Sequence, residues 1–112
     1  MSFCVKRVKT KYFQQKWIDL QKFCADKKTW SLAIIKADDL LGEALKKRKF
    51  NGKNIGEKLV VAQPVFSDNE LVWFGHKLRG KIDQDPEIKM KENEVKKALI
   101  GIKQALKDLG AL

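Results

Sequence analysis

Trp30-Ser31-Leu32-Ala33-Ile34-Ile35-Lys36-Ala37-Asp38-Asp39-Leu40-Leu41-Gly42-Glu43-Ala44-Leu45 is the stretch whose reading decides the fold. Trp30, Ala33, Ile34, Ala37, Leu40, Leu41, Ala44 and Leu45 recur at steps of three and four, the interval at which an α-helix returns its side chains to one face. Leu32 and Ile35 fall off that stripe, so the first half of the helix is apolar nearly all round. A helix of that kind is either central to a core or covered by a second subunit. Thr29 stands where an N-cap is expected. Lys46-Lys47-Arg48-Lys49 lies in the last turn, where cations complement the helix dipole, and Asn51-Gly52 suits a left-handed terminus or turn.

The flanking sequence repeats the helical signal. Upstream, a helix is expected over residues 5–27, with Val8, Tyr12 or Phe13, Trp17, Leu20 and Cys24 inward and a basic face of Lys6, Arg7, Lys9, Lys11, Lys16 and Lys22. Downstream, Ile55, Leu59 and Ala62 mark a short helix over residues 55–62, which Pro64 prevents from continuing. Ser67-Asp68-Asn69-Glu70 has the form of a capping box, with Ser67 at the N-cap and Glu70 three residues on. The helix it opens turns Leu71, Phe74, Gly75, Leu78 and Ile82 inward. Val72, His76, Arg79 and Asp83 form the adjacent stripe. Residues 85–90 read as a turn and a short extended piece, and a last helix over residues 92–109 carries Val95, Leu99, Ile102, Leu106 and Leu109 inward, with Gly110 as its stop. The expected architecture is a single all-α domain spanning residues 1–112, an up-and-down bundle of four main helices plus one short helix.

A chain of 112 residues with 44% apolar and 34% charged residues has the composition of a globular domain. Its net charge of +10, from 24 basic and 14 acidic residues, favours polyanionic partners, nucleic acid before an anionic membrane surface; simple solubility explains it equally well. Cys4 and Cys24 would stand about 30 Å apart on one continuous helix, too far for a bridge. Two separated thiols and one histidine also do not make a zinc site. No run of apolar residues is long enough to span a membrane, so a cytoplasmic chain with no membrane partner is expected. The sequence holds no Gly-rich phosphate loop, no His-Glu-x-x-His and no Gly-x-Ser-x-Gly; no cofactor and no metal are expected.

Chemistry then concentrates on His76, Arg79 and Asp83, with Asp38 as a fourth member. Asp38 lies at the edge of the apolar stripe beside Ile34, Leu41 and Leu45, whereas Asp39 points to the solvated side. A half-sheltered carboxylate calls for a cation, and Arg79 is the expected partner, with His76 packing beside the pair.

The order Trp30, Ala33-Ile34-Ile35-Lys36-Ala37-Asp38-Asp39-Leu40-Leu41, Gly56-Glu57-Lys58-Leu59 and His76-Lys77-Leu78-Arg79-x-x-Ile82, closed by an amphipathic helix, resembles small bacterial helical proteins of the HEPN type over roughly residues 17–112. The resemblance implies a bundle of four to five helices that is commonly a homodimer, here expected through the second and fourth helices. Catalytic members are metal-independent ribonucleases with an arginine followed four to six residues later by histidine, often a polar residue after the arginine, and an acid on an earlier helix. Arg79 matches the arginine and Asp38 the acid, but Gly80 stands at the polar position and Gln84 at the histidine. An amide cannot shuttle a proton, and losing a general acid or base costs about 10²- to 10⁴-fold in rate. The expected function is non-catalytic binding of RNA or a partner protein through a basic cleft around Arg79, with His76, Asp38, Asp83, Gln84, Lys77 and Lys81. Two alternatives stand beside it: a weak metal-independent endoribonuclease of the toxin type acting through Arg79, His76 and Asp38, and a bundle that serves only structural or protein-interaction purposes.

Overall fold

The computed structural model describes residues 9–112; Cys4, Val5, Lys6, Arg7 and Val8 of the first expected helix lie outside the described residues. Five α-helices follow one another: α1 Thr10–Gln21, α2 Trp30–Lys47, α3 Ile55–Ala62, α4 Asn69–Gln84 and α5 Glu92–Asp108, with 3₁₀ turns at Lys22–Cys24, Lys27–Thr29 and Gln63–Val65. There is no strand among the described residues. The fold is the all-α bundle of four longer helices and one short helix that the periodicity predicts.

α2 is the central element and packs against each of the other four helices. Ala33, Ile34, Ala37, Leu41, Ala44 and Leu45 are fully buried, which is why the helix can be apolar through more than one face. One core cluster gathers Phe13, Trp17, Leu41, Leu45, Leu59, Ile102 and Leu106. A second gathers Ile34, Leu78, Ile82, Met90, Val95 and Ala98.

Helix ends depart from the sequence expectations in four places. α1 stops at Gln21 rather than running to residue 27; the chain tightens into a 3₁₀ turn through Cys24, and Asp26 starts a new turn by accepting from the Lys28 amide at 2.9 Å. Thr29 does not cap α2 with its side chain. Its hydroxyl is committed to the carbonyls of Phe23, at 2.7 Å, and Asp26, at 3.0 Å. The cap of α4 is Asp68, which accepts from the Leu71 amide at 3.1 Å. Ser67 is drawn away, because its amide and hydroxyl both donate to Asp108, at 2.8 and 2.9 Å. The left-handed residue after α2 is Lys49, at φ 68°, ahead of Asn51-Gly52. The Lys49 amide bonds Lys46 and the Phe50 amide bonds Leu45, a Schellman closure that satisfies the last carbonyls. α5 closes in the same way with Gly110 at φ 76° and the Ala111 amide on Leu106. The Arg48 guanidinium donates to the Leu109 carbonyl, tying the two helix ends together.

α4 and α5 run antiparallel and approach closely at two glycines. A Cβ on Gly101 would lie 2.4 Å from the Leu71 carbonyl oxygen, and one on Gly75 would lie 2.9 Å from Ile102. Neither backbone can yield without separating the helices. Gly101→Ala is therefore expected to cost about 1–3 kcal/mol through overpacking. Gly80→Ala, where nothing lies within 4 Å of the added carbon, is expected to gain roughly 0.5–1 kcal/mol from helix propensity. Urea unfolding midpoints at unchanged slope separate the two.

Candidate functional site between α2 and α4

Asp38 is fully buried, and it is the one charged residue among the described residues in that position. It occupies a core position of α2, one turn after Ile34 and one before Leu41, so helical geometry carries it inward with them. The expectation of a half-sheltered carboxylate at the stripe's edge is corrected by this depth. α4, lying antiparallel across α2, closes over Asp38 with His76 and Arg79.

The nearest partner of Asp38 is His76, not Arg79. The imidazole Nδ1 lies 3.0 Å and 3.3 Å from the two carboxylate oxygens, whereas Arg79 Nη1 is 3.5 Å away. An ionised carboxylate only accepts, so Nδ1 carries the proton and a neutral ring presents its lone pair at Nε2. That nitrogen faces the start of α3, where a Cβ on Gly56 would stand 3.4 Å from it. Glycine thus keeps the space over Nε2 open. Asn54 fixes that end of α3 by accepting from the Glu57 amide at 2.9 Å, while Glu57 accepts from the Lys53 amide at 2.8 Å. Trp73 meets the imidazole edge-on, with ring centres 5.8 Å apart.

Arg79 spreads over three carboxylates. Nη1 donates to Asp39 at 2.8 Å and reaches the Ile35 carbonyl and Asp38, each at 3.5 Å; Nε donates to both Asp83 oxygens at 3.1 Å. Burial opposes its charge, but the hydrogen bonds and charges of Asp39 and Asp83 outweigh burial and raise the guanidinium pKa above its usual value. Arg79 is a fixed cation. With three carboxylates around one guanidinium, the network as a whole is anionic.

The structure brings together Asp38, His76, Arg79 and Asp83. Gln84 is the last residue of α4 and exposed, and Lys77 and Lys81 are exposed on the same helix. Asp39 was not expected in the site. A helical wheel places it on the solvated side, and its side chain is 56% exposed, yet the long arginine crosses the surface of α2 to meet it. The Arg79–Asp83 pair has a signal in the sequence, the four-residue spacing at which helical side chains meet. Among the described residues no three of His, Cys, Asp and Glu are grouped so as to hold a metal ion, and no helix is long and apolar enough to cross a membrane. No protein-family model, curated protein or solved structure matches the chain.

Unequal burial gives the three acids unequal weights. Asp38→Ala leaves His76 and part of Arg79 without their acceptor in the interior and is expected to cost about 3 kcal/mol. Asp39→Ala and Asp83→Ala remove exposed pairs and are expected to cost less than about 1 kcal/mol each. Denaturant titration of the three variants would show that ranking, and equal losses would mean the network acts as one unit.

Proposed function

We propose that the chain is a non-catalytic binding protein of the HEPN type that takes RNA at the α2–α4 surface around Arg79. The observation that carries this reading is a permanently charged arginine held at that surface, with Gln84 standing where the motif's proton-transferring histidine would be. The Arg79 Nη2 edge makes no hydrogen bond among the described residues and is the edge a phosphate oxygen would meet. Lys77 and Lys81 on α4 are exposed and add positive charge along the same helix. Asp39 and Asp83 hold the guanidinium in the absence of ligand. Being more than half exposed, they are weak partners that a phosphate can displace. A homodimer through α2 and α4 belongs to the same reading: Leu32 is exposed on α2, and Ile35 and Phe74 are only partly covered.

A second reading, metal-independent RNA cleavage, is favoured by the Asp38–His76 pair, which sets the imidazole in the tautomer a general base needs. What it lacks is a second proton-transfer group opposite His76.

Three measurements test these readings. Binding of labelled RNA is expected to weaken steeply with salt and to be lost in Arg79→Ala. Pairing Asp39→Asn with Asp83→Asn is expected to strengthen it about tenfold, because two carboxylates no longer compete for the guanidinium. RNA bound equally well by Arg79→Ala would move the site away from Arg79, and no RNA bound at low salt would leave a partner protein as the ligand. Incubation with RNA in EDTA should give no cleavage; cleavage abolished by His76→Ala would establish the enzyme. Sedimentation of a monomer at high micromolar concentration would dispose of the dimer.

A further inference from the structure

Away from the Asp38 network, α1 and α5 leave a groove of about 430 Å³ between them, walled by Trp17, Leu20, Trp30, Val95, Leu99 and Ile100. The gap follows from the packing. α1 is held to the bundle mainly by α2, while α5 packs on α4 and α2. Two features of this groove are unexplained by the folded chain alone. Ile100 is 61% exposed, a large apolar side chain left in water beside the partly buried Leu99. Trp17 is only 6% exposed, yet its indole N–H has no acceptor, whereas the N–H of neighbouring Trp30 donates to the Cys24 carbonyl at 2.9 Å. A buried donor without an acceptor is a cost that native structures rarely leave unmet.

The rim is polar and unevenly charged. Glu92 is paired with Lys96 at 2.9 Å, which leaves Lys103 without an ion-pair partner among the described residues. Volume, aromatic lining and a few polar groups at the edge match the usual form of a small-molecule site, about 300–1,000 Å³ and commonly between helices of a bundle.

We propose that the α1–α5 groove binds a small amphipathic anion. Its apolar body lies against Trp17, Trp30, Leu99 and Ile100, and its acidic head is drawn to Lys103. The charge at the rim selects this occupant. A nucleic acid has no aliphatic body to fill the groove.

The probes are 1-anilinonaphthalene-8-sulfonate, which joins an aromatic body to an anion, and decanoate. Because Trp17 and Trp30 line the groove, energy transfer from tryptophan to the sulfonate probe reports occupancy. The probe is expected to saturate at one per chain, and decanoate to displace it about tenfold more effectively than decanol does. Ile100→Glu and Lys103→Glu, both outside the core, are each expected to weaken probe binding about tenfold with helical circular dichroism and unfolding midpoint unchanged. Four outcomes would overturn the proposal: binding without saturation at one site, binding indifferent to both variants, decanol competing as well as decanoate, or a concentration-dependent dimer that Ile100→Glu dissolves. RNA binding at Arg79 is expected to be untouched by decanoate, so either site can fail without the other.

Discussion

A single carboxyl side chain in the interior constrains how α2 and α4 meet. Asp38 is fully buried, and a carboxylate in that position is tolerated only where donors surround it. Those donors, His76 and Arg79, lie one turn apart on α4, so the polar network aligns α4 along α2 to within a side chain's reach. Sliding α4 by one turn would break the bonds of Asp38 to His76, whereas apolar contacts alone would tolerate such a slip with less loss. We read the network as a register device for the α2–α4 pair, whatever else it does.

The close approach of α4 to α5 rests on a different constraint. Gly101 lets the Leu71 backbone come within the space a methyl group would fill, and Gly75 does the same for Ile102. α4 is thus fixed on one side by charge and on the other by shape. The surface it shows to solvent, with Trp73, Lys77 and Lys81, is held on a rigid element. Sites on such elements keep their geometry better than sites on loops, so Arg79 is held in place before any ligand arrives.

How much of this was legible in the sequence depends on the range of the interaction. The five helices follow from local periodicity, and α3 begins and ends where Ile55, Ala62 and Pro64 place it. The errors lie at helix ends, where distant residues compete for the same donors. Ser67 has the right spacing for a cap, but Asp108, 41 positions away, holds it, and Thr29 is taken by carbonyls upstream of it. The site shows the same division. Asp38, Arg79, His76 and Asp83 could be picked out by face and spacing. The preference of Asp38 for His76 over Arg79 could not, because it depends on half an ångström in the way α4 lies across α2. Asp39 was missed because a helical wheel treats each side chain as a point, and arginine is long enough to bridge two faces.

The balance of charge around Arg79 bears on which chemistry this surface can support. In a catalytic arrangement the arginine must be free to stabilise charge that develops on phosphorus, and a histidine must move protons beside it. Here the guanidinium already bonds Asp39 and Asp83, and the one histidine is turned toward Asp38 with its open nitrogen facing α3 rather than Gln84. A phosphate finds only the Nη2 edge unless it displaces a carboxylate, and that exchange is worth only the difference between two similar charge-assisted bonds. Such a site can discriminate among anions by shape and number of contacts, but it holds little of its electrostatic potential in reserve for a transition state. That is the physical reason we propose recognition, and not cleavage, at the α2–α4 surface.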